Sequence, residues 1–84
     1  MNDTDGVLTK VREVFKDSFG IEPEKVSLET AARDIPGWDS VGHLSLASNL
    51  EQAFKISLDV DEMMEMENVR EIVRIIQAKL AKGV

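Results

Sequence analysis

Pro36-Gly37-Trp38-Asp39-Ser40-Val41, with the amphipathic run that continues from Val41 to Phe54, is the stretch around which the chain is organised. Pro36-Gly37 suits the two central positions of a type II turn, because proline presets φ and glycine accepts φ > 0. Asp39 is then placed to cap the following helix, its carboxylate accepting a backbone N–H of the first turn. Ser40 falls in that first turn, its hydroxyl near solvent and near the positive end of the helix dipole. Such an end stabilises a phosphate. Ser40 therefore reads as the attachment point of a phosphate-linked prosthetic group, which the rest of the chain holds out and shelters.

Working outward, the helix from Ser40 to about Phe54 is expected to bury Val41, Leu44, Ala47, Leu50 and Phe54, with Leu46 and Ala53 broadening that face. Gly42, His43, Ser45, Ser48, Asn49 and Gln52 fill the other face, and Glu51 is the only formal charge. Gly42 costs about 1 kcal/mol of helix stability against Ala, so a glycine beside the serine suggests close approach by a partner. Trp38 reads as a lid over the loop and core.

Upstream, Val7, Leu8, Val11, Val14, Phe15 and Phe19 recur at helical spacing. They predict a helix from about residue 4 to Phe19, after a frayed start at Met1-Asn2-Asp3. Asp3 or Thr4 would cap it and Gly20 would end it as C′. Ile21 to Trp38 has no sustained period. It reads as a long loop with one helical turn at Pro23–Val26, pinned by Ile21, Val26, Leu28 and Ile35, with no strand pairing evident.

Downstream, Lys55 to Val60 is a short link turning Ile56 and Leu58 inward. Asp59 or Asp61 would cap a short helix from Glu62 to Met66. The last helix has a clear stripe of Val69, Ile72, Val73, Ile76 and Leu80, with Asn68 as its cap. Lys79 and Lys82 complement its dipole, and Gly83 would stop it. The expected fold is an all-α bundle of three long helices and one short helix, with a long loop between the first and second. Residues 1–84 read as a single domain.

Composition narrows the function classes. Ten Lys/Arg against sixteen Asp/Glu give a formal charge of −6. An acidic domain repels nucleic-acid phosphate and suits partners that present basic patches. The absence of cysteine rules out a disulfide framework, a thiolate zinc site and a cysteine nucleophile, and is compatible with a reducing cytosol. No apolar run approaches membrane-spanning length, and no signal-peptide pattern opens the chain. Asp59-Val60-Asp61-Glu62 resembles the start of a calcium loop but fails further on: Met64 stands where that loop needs glycine and Arg70 where it needs glutamate. His43, three residues after Ser40, raises a serine-histidine hydrolase. One helical turn supplies neither orienting group, oxyanion site nor pocket, so His43 reads as a solvated residue that touches the phosphate or a partner.

Gly37-Trp38-Asp39-Ser40-Val41 resembles the Gly-x-Asp-Ser-Leu motif of the acyl carrier protein family, which includes peptidyl and polyketide carrier domains. Leu44, Leu50, Glu51, Phe54, Ile56 and Leu58 fall at that family's second-helix and link positions. Val69, Ile72 and Val73 fit the start of its last helix. The resemblance runs from the first helix to about Leu80. It implies that a phosphopantetheinyl transferase, using coenzyme A and Mg²⁺, esterifies Ser40 with 4′-phosphopantetheine, and that Asp39 helps the transferase recognise the site. The arm's thiol then carries an acyl or aminoacyl group as a thioester, and tethering raises its effective concentration at each docked enzyme. The carrier itself catalyses nothing.

Partners implied are a loading ligase or transferase and downstream biosynthetic enzymes, met by a specialised, stand-alone, cytoplasmic monomer. The implied pathway is fatty-acid, polyketide or related specialised biosynthesis. Leu44, Leu50, Met63, Met66 and Val69 are the expected acyl-lining set; Val41, His43, Glu62 and Glu65 are the expected docking residues. Two departures stand out: Val41 replaces the usual Leu, and the second helix is mostly neutral where the family is acidic. Partner choice is therefore expected to lean on the later acidic segment. The alternatives are a stand-alone peptidyl or aminoacyl carrier and an unmodified helical adaptor that binds a protein partner through its Met-rich segment.

Overall fold

The helical periodicities become helices in the expected order. The computed structural model describes the backbone of residues 3–82 and the side chains of residues 6–81. Its helices are α1 (Asp3–Phe19), α2 (Ser40–Phe54), α3 (Val60–Glu65) and α4 (Val69–Lys82). The side-chain cap expected of Asp3 or Thr4, the frayed Met1-Asn2 and the stop at Gly83 lie outside what is described.

The helix ends follow local chemistry. Gly20 ends α1 at φ 69°, its N–H donating to the Lys16 carbonyl at 2.8 Å. The Asp59 carboxylate accepts the Glu62 N–H at 2.8 Å, while the Glu62 carboxylate accepts the Asp59 N–H at 3.0 Å. This reciprocal box starts α3 at Val60, two residues before the expected Glu62, and leaves Met66 as its C-cap. Lys55 closes α2 in the left-handed region, at φ 56°.

The core brings Val11 and Phe15 of α1, Leu46, Ala47 and Leu50 of α2, and Val69, Ile72, Val73 and Ile76 of α4 together with Met66. α2 is rolled relative to the expected face. Val41 and Leu44 point to solvent, at 75% and 63% exposure, while Leu46 is fully buried. The run offers two overlapping apolar stripes, and the one at 43, 46, 47 and 50 turns inward because buried Trp38 sets the direction from which the chain enters the helix. α4 buries a wider face than its stripe suggested. Ile75 joins the core and Leu80 is partly exposed, because α1 and α3 both pack on this helix.

The loop between α1 and α2 is strapped down by backbone as well as by apolar anchors. It contains the expected turn at Pro23–Lys25, as 3₁₀ helix, and a second one at Ala32–Asp34 that the sequence did not announce. The absence of strand pairing is corrected locally: Ala31 and Asn68 form an isolated antiparallel bridge. The reason lies in α4, whose first N–H groups need acceptors. The Thr30 carbonyl takes the Val69 N–H at 2.8 Å, the Leu28 carbonyl takes the Arg70 N–H at 3.0 Å, and Asn68 Oδ1 takes the Glu71 N–H at 2.9 Å. Asn68 is thus the side-chain cap expected of it, and the loop supplies the rest.

Candidate functional site

The turn before α2 is built as its residues dictate. The Trp38 N–H donates to the Ile35 carbonyl at 3.1 Å across Pro36-Gly37, and Gly37 sits at φ 93°. Trp38 is buried. Its indole meets Phe15 edge-on at 5.1 Å between centroids and lies 6.3 Å from Phe19 at 25°. Rooted this way in α1, the turn delivers Asp39 and Ser40 to the surface, where both are exposed. Asp39 Oδ1 accepts the Gly42 N–H at 2.9 Å, making it the cap of a fifteen-residue helix that opens with Ser40.

Gly42 has an internal reason. A Cβ there would collide with the Gly37 carbonyl oxygen and crowd Phe19. The glycine lets the turn fold back on the first turn of α2, so the close approach is within the chain rather than by a partner.

His43 is likewise not the solvated residue expected. The Trp38 Nε1–H donates to His43 Nδ1 at 2.8 Å, and His43 Nε2 lies 2.7 Å from the Met63 carbonyl oxygen. Since Nδ1 accepts, Nε2 carries the proton and donates to Met63; the imidazole is neutral and the tautomer follows from the partners. Both nitrogens are engaged away from Ser40, so His43 is not its general base. An open groove of about 380 Å³ adjoins Ser40, lined by Ala32, Trp38, Asp39, Ser40, His43 and Met66.

The other singled-out residues separate. Leu50, Met66 and Val69 are in the core, and Met63 packs half-buried against it. Leu44 does not join them, because the roll of α2 turns it outward. Val41 is exposed beside it. Glu62 pairs with Lys79 at 2.7 Å, and Glu65 pairs with Arg74 at 3.2 Å. The Arg74 pKa is raised, first by its hydrogen bond to Glu71, then by that carboxylate's charge and by the bond to Glu65. Val60 and Met64, 68% and 71% exposed, were not singled out. Their signal was the spacing of Met63 and Met66, which puts Met64 on the outer side of the turn. Among the described residues, no cluster of three His, Cys, Asp or Glu side chains could hold a metal.

An all-α bundle that roots a turn in its core and presents a serine at a capped helix head, beside a groove, is built as a carrier domain. The chain belongs to the phosphopantetheine attachment site family, whose model matches residues 9–76. It is similar to the solution NMR structure of a holo acyl carrier protein from Geobacter metallireducens, with a TM-score of 0.82 and 30% identity over 92% of this chain and 88% of that one. It is 25% identical to an acyl carrier protein of Trieres chinensis over 94% of this chain and 99% of that protein. It is also 38% identical, over 84% of its own length, to a segment of the non-reducing polyketide synthase pigA of Monascus ruber, of which it spans only 3%.

The chain is therefore an acyl-carrier domain of a family that holds 4′-phosphopantetheine covalently. The residues present fit that group: an exposed hydroxyl, a helix head that favours phosphate, and an adjoining groove. No helix among the described residues is long and apolar enough to cross a membrane.

Proposed function

We propose that Ser40 carries the 4′-phosphopantetheine and that Asp39, besides capping α2, forms part of what the transferase recognises. The observation that carries this reading is the exposed Ser40 hydroxyl at the capped head of α2. When bound, the group supplies a thiol that holds the cargo as a thioester, in a chain that has no thiol of its own. Trp38, His43 and Met66 wall the groove beside it. An acyl chain entering the bundle would meet Leu50, Met63, Met66 and Val69.

Docking enzymes meet the exposed apolar residues Val41 and Leu44, continued by Val60 and Met64, with the acidic Glu62 and Glu65 beside them. His43 contributes indirectly, by holding Met63. The cargo is a polyketide- or fatty-acid-type acyl group, placed by a loading enzyme. The carrier acts as a cytoplasmic monomer with residues 1–84 as one domain.

The test is intact mass before and after incubation with coenzyme A, Mg²⁺ and a permissive phosphopantetheinyl transferase, beside a Ser40→Ala control. The expected result is a gain of one phosphopantetheine in the parent chain and none in the control. Modification of the Ser40→Ala chain, or of neither while a known carrier is modified in the same tube, would overturn the assignment.

A further inference from the structure

We infer that His43 latches the seam between the head of α2 and α3, so that this carrier holds short or oxygen-bearing acyl groups in the surface groove and does not engulf long aliphatic ones. The inference rests on Ser40 as the attachment point of the arm. Its observation is the two-sided bonding of one imidazole. Nδ1 takes the Trp38 indole N–H from the loop, and Nε2 gives its proton to the Met63 carbonyl on α3. The two rings lie 9° from parallel with centroids 6.1 Å apart, and both wall the groove that starts at Ser40.

α3 is the element such a chain would have to displace. It is only six residues long. The ion pairs Glu62–Lys79 and Glu65–Arg74 tie it to α4, and the His43 bond ties it to α2. Behind the wall, Leu46, Leu50, Met66 and Val69 are all exposed by 2% or less. A chain that parted α3 from α2 would break the imidazole's bond to Met63, while the Trp38 bond, made at the head of α2, keeps the ring in place. It would set the half-buried imidazole N–H and the Met63 carbonyl against an aliphatic chain that can partner neither, which is costly. Apolar burial grows with each methylene, but the core behind the seam is already filled by side chains exposed by 2% or less, so added methylenes find no free space there and do not offset that loss. The groove outside offers the short chain both kinds of contact: Ala32 and Met66 are apolar, while Asp39 and the ring edges are polar.

The experiment uses the whole chain, its His43→Leu variant and its His43→Gln variant, which keeps one acceptor and one donor. Intact mass establishes the arm on Ser40, and a thermal melt establishes folding. Each is then loaded with a butyryl or an octanoyl group. Two quantities are measured: methyl resonances of Leu46, Leu50 and Val69, and the rate at which hydroxylamine cleaves the thioester.

In the parent chain both cargoes are expected to leave the methyls as in the unloaded holo form and to be cleaved at equal rates. In His43→Leu, octanoyl but not butyryl should shift the methyls and be protected severalfold. His43→Gln should behave as the parent, which a loss of packing alone would not explain. Core methyl shifts and protection of octanoyl in the parent chain would overturn the inference, and that arm decides even should His43→Leu not fold. Equal octanoyl protection in the parent and in folded His43→Leu would also overturn it. Failure to gain the arm in the mass measurement would instead overturn the assignment of Ser40, and the latch with it.

Discussion

At Gly42 two opposing effects can be weighed directly. Alanine would gain about 1 kcal/mol of helix propensity. Its Cβ, however, would meet the Gly37 carbonyl, a backbone atom with little freedom to move. Crowding of this kind costs about 1–3 kcal/mol, so Gly42→Ala is expected to destabilise the protein on balance. Urea unfolding followed by Trp38 fluorescence measures this; a raised midpoint would contradict it. Asp39→Ala removes the cap from the Gly42 N–H and should cost about 1 kcal/mol. Ser40→Ala should leave the unfolding midpoint within error, because its hydroxyl is exposed and sits at the helix head rather than in the core. Comparing the two separates a structural part of the motif from its attachment point. Cap, turn and serine were all legible from neighbouring residues. The roles of Gly42 and His43 were not, because their partners Gly37, Phe19 and Met63 matter through where the chain places them.

The elements carry a different kind of strain. Lys55 ends α2 at φ 56°, where a side chain costs about 1–2 kcal/mol that glycine does not. Glycine loses part of that gain to the flexibility of the unfolded chain. Lys55→Gly should therefore stabilise by about 0.5–1 kcal/mol, read as a higher urea midpoint with unchanged slope. α4 shows the reverse dependence, since an outside segment completes its first turn. Asn68→Ala should cost about 1 kcal/mol through the lost bond to the Glu71 N–H. It should also raise amide exchange at Val69 and Arg70, whose acceptors lie on the loop; unchanged exchange there would argue that the strap holds without the cap. The helices themselves were readable from their apolar spacing. The strap was not, because Leu28, Thr30 and Ala31 show no strand-like alternation and bond through main-chain atoms that any residue possesses.

For the molecule as a whole, the outer face beside Ser40 combines exposed apolar side chains with carboxylates that already have cationic neighbours. Leu44→Glu is expected to leave stability within about 0.5 kcal/mol, as its side chain is largely exposed. It should lower kcat/KM of a docking enzyme by about tenfold or more, as loss of a buried interface residue does. Unchanged turnover across a loading enzyme and the transferase would remove Leu44 from the docking face.

An amino-acid chain determines by itself what depends on residues within a turn or two of each other: caps at Asp39, Asp59 and Asn68, stops at Gly20, the Pro36-Gly37 turn and the helical periods. Those features, with the Asp-Ser motif and the lack of cysteine, were enough to indicate the fold class and the carrier reading. Tertiary structure decided what depends on contacts between distant segments. It rolled α2 so that Leu44 faces out and His43 faces in, drew Ile75 into the core, and bridged the loop to α4. The physical reason is the breadth of the apolar faces: a helix such as α2 offers more than one way to bury its stripe, and only the packing of α1 and Trp38 against it, with the His43 bond to Met63, selects one.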